Sequence, residues 1–315
     1  MKEEIFSHYD HGITCIDTGY IRPNMAAIYM VEHGDEVAII ETGTNHSLAR
    51  VLALLDEKNI ALSQVRYVIP THIHLDHAGG AGRMMEMFPG AELIVHPRGA
   101  RHLIDPTRLI KGVTEVYGQE KYDALYGDLI AVSKDRVVEA EDNMEFDLAG
   151  RMFLIRQTPG HAEHHICIWD EQSHGWFTGD TFGVSYQEMI GSEYRHIMPT
   201  TTPVQFAPEK LISSINLIMS YKPERIYLTH FGLLENPEYY AEKLCQRISY
   251  YCEIAQTNRN ALNPIEKIED TISGKECAQL NQIVPDIDLA TAHELLEMDL
   301  NLNAQGLVVW LNQSG

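Results

Sequence analysis

Short apolar runs separated by glycine-containing turns characterise the first part of the chain. Residues 27–31 and 37–40 are rich in Ile, Val and Ala, and they predict neighbouring strands between residues 13 and 41. Apolar side chains then recur at helical spacing over residues 48–55, which predicts a helix that ends near Asn59. The first part of the chain is therefore expected to contain both strands and helices.

The pattern alternates between strand and helix along the rest of the chain. Further strands are predicted at residues 66–70, 92–96, 144–148, 152–157, 166–169, 176–178 and 226–229, and helices over most of 98–130. From Pro237 onward the spacing is helical, with a last apolar run at residues 307–311. Two strand-rich halves with flanking helices predict an α/β fold built as a sandwich.

Composition and charge narrow the possible partners. Hydrophobic residues make up 44% of the chain and charged residues 22%, as in an ordinary globular protein. The net charge of -21, from 24 Lys and Arg against 45 Asp and Glu, would repel a phosphate backbone. We therefore expect neither nucleic acid nor an anionic membrane as a partner, and the substrate to be a small molecule.

The location is predicted from the absence of two signals. The acidic N-terminus has no apolar core of an export signal, and no later run approaches membrane-spanning length. The five cysteines are widely spaced and include no Cys-x-x-Cys pair, as expected for reduced thiols. These features predict a cytoplasmic protein.

The strongest chemical signal is a histidine-rich segment directly after a predicted strand. His72, His74, Asp76 and His77 fall within six residues, a density that packing alone does not explain. Along an extended loop, His72 and His74 point to one side, while Asp76 and His77 can face a neighbouring position. One segment can therefore serve two metal ions.

Three later residues can complete the metal coordination. His161 follows Thr-Pro-Gly, Asp180 follows Phe-Thr-Gly, and His230 follows a predicted strand. Imidazole and carboxylate suit Zn, Fe and Mn, and a complete site needs four or more ligands. Each residue alone is typical of a strand end or a turn, so the prediction depends on the full set.

The ordered pattern His-x-His-x-Asp-His, Gly-His, Gly-Asp and His resembles that of the metallo-β-lactamase-fold superfamily. The resemblance covers about residues 13–232. It implies an αββα sandwich with the site along one edge of the two sheets. We therefore expect a catalytic domain over residues 1–232 and a mainly helical C-terminal extension, packed on that domain, over residues 233–315.

The resemblance also implies two divalent metal ions per chain, zinc first, with iron or manganese as alternatives. His72, His74 and His161 would bind the first ion, Asp76, His77 and His230 the second, and Asp180 both. Asp76 and Asp180 are the expected catalytic residues, because a hydroxide that bridges the two ions would attack the substrate and Asp76 can orient it.

Residues around these ligands receive supporting roles. The superfamily often has an Asp before Thr-Gly at the end of an early strand, whereas this chain has Glu41. The longer carboxylate is expected to support a metal-binding histidine without binding the metal itself. Tyr186 and Tyr194, which follow Asp180, are expected to contact a substrate oxygen.

The resemblance predicts a hydrolase that cleaves an ester, lactone or thioester of a small intracellular molecule. Two other classes share the ligand pattern: iron-dependent oxygenases similar to persulfide dioxygenases, and metal-containing signalling effectors with little hydrolytic activity. Glyoxalase II-like thioesterases show Gly-His-Glu-Tyr at the last histidine, where this chain has Thr-His230-Phe-Gly. The C-terminal helices are expected to form pocket walls or a homodimer surface.

Overall fold

The computed structural model describes residues 5–313, without the side chains of residues 116 and 117. Residues 1–4, on which the prediction about an export signal partly rests, lie outside the described residues. The chain forms two compact units. Unit 1 contains the chain up to Gln157, His164–Gly179 and Glu224–Leu233, and unit 2 contains Thr158–Glu163, Asp180–Pro223 and the chain from Leu234 onward. The predicted boundary after residue 232 stays a prediction.

A seven-stranded mixed sheet forms the first layer of unit 1. Its strands, in spatial order, are β1 (Phe6–Tyr9), β2 (Ile13–Asp17), β3 (Ala27–His33), β4 (Glu36–Ile40), β5 (Val65–Ile69), β6 (Glu92–Val95) and β7 (Val137–Glu139). The strands from β1 to β4 pair antiparallel, and those from β4 to β7 pair parallel. The carboxyl ends of β4 and β5 therefore meet at one edge of this sheet.

A second, six-stranded sheet follows later in the chain. Its strands are β8 (Glu145–Leu148), β9 (Arg151–Gln157), β10 (Ile166–Asp170), β11 (Gly175–Phe177), β12 (Arg225–Leu228) and β13 (Gly232–Glu235), in the spatial order β13-β12-β11-β10-β9-β8. Pairing is antiparallel from β8 to β11 and parallel between β11 and β12.

The alternation of side chains along β3 shows why the two sheets stack. Ala27, Tyr29 and Val31 belong to the core shared by both sheets, whereas Ile28 and Met30 belong to the core under the helices of unit 1. Successive residues of a strand point to opposite faces, so an apolar strand such as β3 is buried on both faces. The predictions of an α/β fold and of a two-sheet sandwich are confirmed.

Helices connect the strands of the first sheet. They are α1 (Leu48–Glu57), α2 (Leu75–Ala78), α3 (Ala81–Met87), α4 (Pro97–Ile104), α5 (Thr107–Tyr117) and α6 (Gln119–Tyr126). Buried residues of α1, α3 and α4 pack with residues of β3 and β4 in one hydrophobic core. These helices cover the outer face of the first sheet.

Unit 2 is mainly helical, with α7 (Pro208–Ser220), α8 (Pro237–Thr257), α9 (Pro264–Ile283) and α10 (Leu289–Gln313). A proline opens each of α7, α8 and α9, where its missing N–H breaks no helical hydrogen bond. In α10, Leu307 and Leu311 are buried, so the last apolar run docks within this chain. The predicted homodimer stays a prediction.

Within residues 5–313, no helix is both long and apolar enough to cross a bilayer.

Candidate metal centre

The histidine-rich segment lies where β5 ends and α2 begins, in unit 1. His74 has extended backbone angles and caps α2, so the chain changes from extended to helical immediately after it. Asp76 and His77 therefore lie in the first turn of α2, while His72 and His74 precede it. His72 and His77 are fully buried.

Three possible metal-binding atoms converge in unit 1. Asp76 Oδ2 lies 3.5 Å from His77 Nε2 and 3.4 Å from His230 Nε2. The two imidazole atoms are 3.3 Å apart. The fold thus brings two residues of α2 close to His230, which lies just after β12. Together the three residues form a group that could hold a metal ion.

The other nitrogens of both rings are directed at acceptors. His77 Nδ1 donates to Glu41 Oε1 at 2.9 Å, and His230 Nδ1 donates to the Met25 carbonyl oxygen at 2.6 Å. A neutral imidazole carries one proton, so a ring that donates from Nδ1 presents a lone pair at Nε2. Two lone pairs and a carboxylate oxygen thus face one another.

The spacing of these three atoms fits a bound cation. Ligand atoms about 2.0–2.2 Å from a tetrahedral zinc ion lie about 3.3–3.6 Å from one another. The distances of 3.3, 3.4 and 3.5 Å fall in this interval. The residues Asp76, His77 and His230 therefore fit a metal ion in both donor chemistry and geometry.

Glu41 joins several parts of unit 1 behind these ligands. Its Oε1 accepts hydrogen bonds from Thr71 Oγ1, His77 Nδ1 and Thr229 Oγ1, and its Oε2 accepts one from the Thr71 backbone N–H. The carboxylate is buried, and its backbone has a positive φ of 69°. A non-glycine residue in this conformation is strained, which is common beside functional sites.

His72 and His74 form a second pair in unit 1. His72 Nε2 lies 2.9 Å from His74 Nδ1, and His72 Nδ1 lies 3.1 Å from Thr71 Oγ1. Since Thr71 Oγ1 donates its own proton to Glu41 at 2.6 Å, it accepts from His72 Nδ1. His72 therefore presents the lone pair of Nε2 beside His74.

His161 and Asp180 form a matching pair in unit 2. His161 Nε2 lies 3.4 Å from Asp180 Oδ2. Thr200 Oγ1 lies 2.9 Å from His161 Nδ1 and donates to the Asp180 carbonyl oxygen at 3.0 Å, so it accepts from the ring. His161 thus also presents an Nε2 lone pair, at a distance from the carboxylate that suits two ligands of one ion.

The residue before each member of this pair is a glycine with no room for a side chain. A Cβ on Gly160 would lie 2.3 Å from the Leu211 backbone, and one on Gly179 would lie 2.4 Å from Thr71 Oγ1. Both glycines have positive φ, 138° and 48°. The Gly-His and Gly-Asp pairs of the sequence thus mark tight turns that aim the side chains.

The remaining predicted site residues lie in unit 2. Tyr186 is buried, and its hydroxyl donates to both carboxylate oxygens of Asp299 at 3.0 Å. Tyr194 is half exposed, and its ring stacks on Tyr239 with centroids 5.0 Å apart. Their role as substrate contacts stays a prediction.

Sequence reasoning missed the groups that hold the histidine rings. Thr71, Thr200 and the Met25 carbonyl oxygen each accept from an imidazole N–H. The sequence also gave no role to His165, whose ring stacks on His72 with centroids 4.8 Å apart. Threonine directly before His72 was a visible signal, whereas a backbone carbonyl 205 residues from its histidine leaves none.

This chain resembles known proteins in both sequence and fold. The metallo-beta-lactamase fold-containing protein ST1585 of Sulfurisphaera tokodaii is 28% identical over 243 residues, which cover 76% of this chain and 85% of that protein. The crystal structure of ST1585 aligns with a TM-score of 0.67 over 95% of this chain and 99% of its own, and at 24% identity it shows the shared fold.

A second relative has a narrower match. The hydroxyacylglutathione hydrolase of Pelagibacter ubique is 26% identical over 161 residues, so this chain spans about half of that protein, 53%. The pattern of the metallo-beta-lactamase superfamily itself matches residues 21–230, well over half of the chain and every one of the seven predicted ligands. With the fold and sequence in agreement, this chain belongs to the metallo-β-lactamase superfamily.

Proposed function

We propose that this protein is a dinuclear metal-dependent hydrolase that cleaves an ester, lactone or thioester of a small molecule. The observation that carries the proposal is the convergence of Asp76 Oδ2, His77 Nε2 and His230 Nε2 at 3.3–3.5 Å, with both ring protons directed elsewhere. An arrangement of lone pairs and a negative charge is favourable only around a cation.

In the proposed site, Asp76, His77 and His230 bind one ion. The other ion takes His72, His74 and His161, and Asp180 binds both. The pairs His72–His74 in unit 1 and His161–Asp180 in unit 2 support the second half of this assignment. His72 and His161 each present an Nε2 lone pair, which lies 2.9 Å from His74 Nδ1 and 3.4 Å from Asp180 Oδ2, respectively. Zinc is the first choice for such a set of imidazoles and carboxylates, with iron or manganese as alternatives.

Two such ions polarise a substrate carbonyl and make water acidic enough to act as a nucleophile near neutral pH. The chain supplies the orientation. Glu41 fixes the His77 ring, Thr200 fixes the His161 ring, and the Met25 carbonyl fixes the His230 ring. The Asp76 side chain is partly exposed, so its carboxylate can contact and orient the attacking water.

The substrate class follows from charge and from the relatives. A chain with a net charge of -21 is poorly suited to a nucleic acid. A relative named hydroxyacylglutathione hydrolase matches half its length, which supports an acyl bond, including a thioester, as the bond cleaved. We propose a small-molecule substrate and a cytoplasmic location.

The test combines metal analysis with an assay on lactones and thioesters. Purified protein is expected to contain two metal ions per chain, and chelation is expected to abolish turnover. Asp180→Ala should lose turnover and metal, whereas Asp270→Ala, which removes an exposed carboxylate of α9, should retain both. Full turnover in Asp180→Ala would contradict the proposal, as would one iron per chain with oxygen consumption and no acyl cleavage.

A further inference from the structure

A cavity of about 250 Å³ lies in unit 2, lined by α8, α9 and the segment that contains Arg195 and Ile197. None of the seven proposed metal ligands lines it. Ligand pockets commonly measure about 300–1,000 Å³, so this cavity suits a small ligand. The proposed hydrolase mechanism assigns it no role.

The cavity is strongly basic. Its lining includes four cationic side chains, those of Arg195, Lys243, Arg247 and Lys275, and within the described part of the chain it includes no Asp or Glu. The whole chain has 45 acidic residues against 24 basic ones. Four cations in one cavity of so acidic a chain are unexpected, and together they create a positive local potential that attracts an anion.

The lysines are held by aromatic rings. Lys275 Nζ lies 3.2 Å from the centre of the Tyr250 ring, and Lys243 Nζ lies 5.4 Å from that of Tyr239. A cation–π contact orients an ammonium group without neutralising it. Among residues 5–313, neither ammonium group forms an ion pair with a carboxylate.

The guanidinium groups are fixed by buried acceptors. Arg247 donates to Glu276 Oε2 at 3.2 Å, to Gln279 Oε1 at 2.5 Å and to His196 Nδ1 at 3.3 Å. Arg195 donates to Ser185 Oγ at 2.8 Å and to the Ser185 carbonyl oxygen at 2.6 Å. Both side chains therefore keep their positions whether or not a ligand is bound, which lowers the entropic cost of binding.

The carboxylate behind Arg247 is ionised. Burial alone would raise the pKa of Glu276, but the neighbouring His196 imidazole and the Arg247 charge outweigh burial and lower it. Glu276 pairs with Arg247 but does not line the cavity, so its charge leaves those of the two lysines uncompensated. Lys243 and Arg247 are like charges four residues apart on α8, so they repel each other, and a bound anion would relieve this repulsion.

We propose that this cavity binds a phosphate group, either free or as a monoester of a small molecule. A dianion matches a cavity lined by four cations better than a single carboxylate does. Its oxygens can accept charge-assisted hydrogen bonds from ammonium and guanidinium N–H groups that line the cavity. The Tyr240 hydroxyl, which accepts from the Arg195 backbone N–H at 3.1 Å, retains its own proton to donate.

Titration calorimetry of the full-length, metal-loaded protein with inorganic phosphate tests this site. Lys243→Gln combined with Lys275→Gln should weaken binding on the order of tenfold or more, since the double variant loses two charged groups that can donate to the anion. The matched control is Lys267→Gln, an exposed lysine of α9, which should bind like the original protein. Lysine and glutamine have similar helix propensity, so all variants should fold.

The same comparison separates this cavity from phosphate bound at the metals, because the lysine variants leave the proposed metal ligands intact. Glycerol 3-phosphate that binds more tightly than inorganic phosphate would identify a monoester as the ligand, and equal or weaker binding would identify free phosphate. Acetate should bind much more weakly than either. Equal phosphate affinity in the original protein and the double variant, or no binding to the original protein, would overturn the proposal.

Discussion

Glu41 Oε1 and His77 Nδ1 lie 2.9 Å apart, so a carboxylate just beyond β4 holds an imidazole of α2. The same oxygen accepts from Thr71 and Thr229, and the other oxygen accepts from the Thr71 backbone. All four contacts need an acceptor. One side chain therefore connects His77 of α2 to Thr71 and Thr229, which follow strands of the two sheets.

Glu41→Gln should weaken metal binding by about 10–100-fold, the usual effect of losing a carboxylate behind a metal-bound histidine. The amide nitrogen would meet a donor in either orientation and so could not replace the carboxylate. Competition against a chromophoric chelator measures the affinity. Glu253→Gln, an exposed change on α8, serves as the control, and equal affinities in the two variants would show that Glu41 does not support the metal.

Gly179→Ala should lower the free energy of unfolding by roughly 1–3 kcal/mol, because the Cβ would meet Thr71 Oγ1 and because φ is positive. Urea unfolding of metal-free protein measures this without the contribution of bound metal. Gly274→Ala, in α9, has nothing within 4 Å of its new Cβ and should stabilise by up to about 1 kcal/mol. A Gly179→Ala protein as stable as the original would contradict the tight turn.

Stability should fall as the pH falls below about 6.5, partly through His196. Burial lowers the pKa of this imidazole more than Glu276 raises it. Between the lowered pKa of the folded state and about 6.5, the unfolded chain binds a proton that the folded chain does not. The free energy of unfolding therefore falls by up to about 1.4 kcal/mol for each unit by which the pH is lowered.

The measurement is urea unfolding of metal-free protein between about pH 7.5 and 5.5. His196→Gln should flatten the loss of stability toward low pH, whereas His293→Gln, an exposed change on α10, should follow the original protein. Parallel curves for the original protein and His196→Gln would show that the buried imidazole does not titrate in this way.

Arg151 and Asp170 form a fully buried, bidentate ion pair between β9 and β10. Asp170→Asn should destabilise by about 3–5 kcal/mol because it leaves a guanidinium uncompensated in the interior. Adding Arg151→Met should restore part of that loss, and a double-mutant cycle measures the coupling. Glu115→Gln, in an exposed pair with Lys111, should change stability by less than about 1 kcal/mol. Simple additivity of the two buried changes would argue against the pair.

The central strands could be predicted from the sequence because they are buried on both faces. The predicted strands at 66–70, 166–169 and 226–229 match β5, β10 and β12 to within one residue at each end. The strands that sequence reasoning missed, β1, β7 and β13, all lie at sheet edges. An edge strand has one neighbour and carries more polar residues, so its alternation is weak.

The candidate metal ligands could be singled out from the sequence by residue type and order, and their role stays a prediction, whereas the contacts around them leave no pattern in the sequence. The Met25 carbonyl reaches His230 from 205 residues away, and no side-chain pattern reports a backbone oxygen. The basic cavity could not be predicted from the sequence for a similar reason. Lys243 and Arg247 share a face of α8, but their approach to Lys275 depends on how α8 and α9 pack.

The candidate metal ligands Asp76, His77 and His230 also link metal binding to the stability of the fold. His77 and His230 are 153 residues apart and follow strands of different sheets. An ion bound by these residues would cross-link segments that follow strands of the two sheets. The unfolded chain does not hold the three ligands together, so it would bind the ion more weakly. Metal binding and folding are then one linked equilibrium. A cell short of metal would lose this protein to degradation as well as to inactivity.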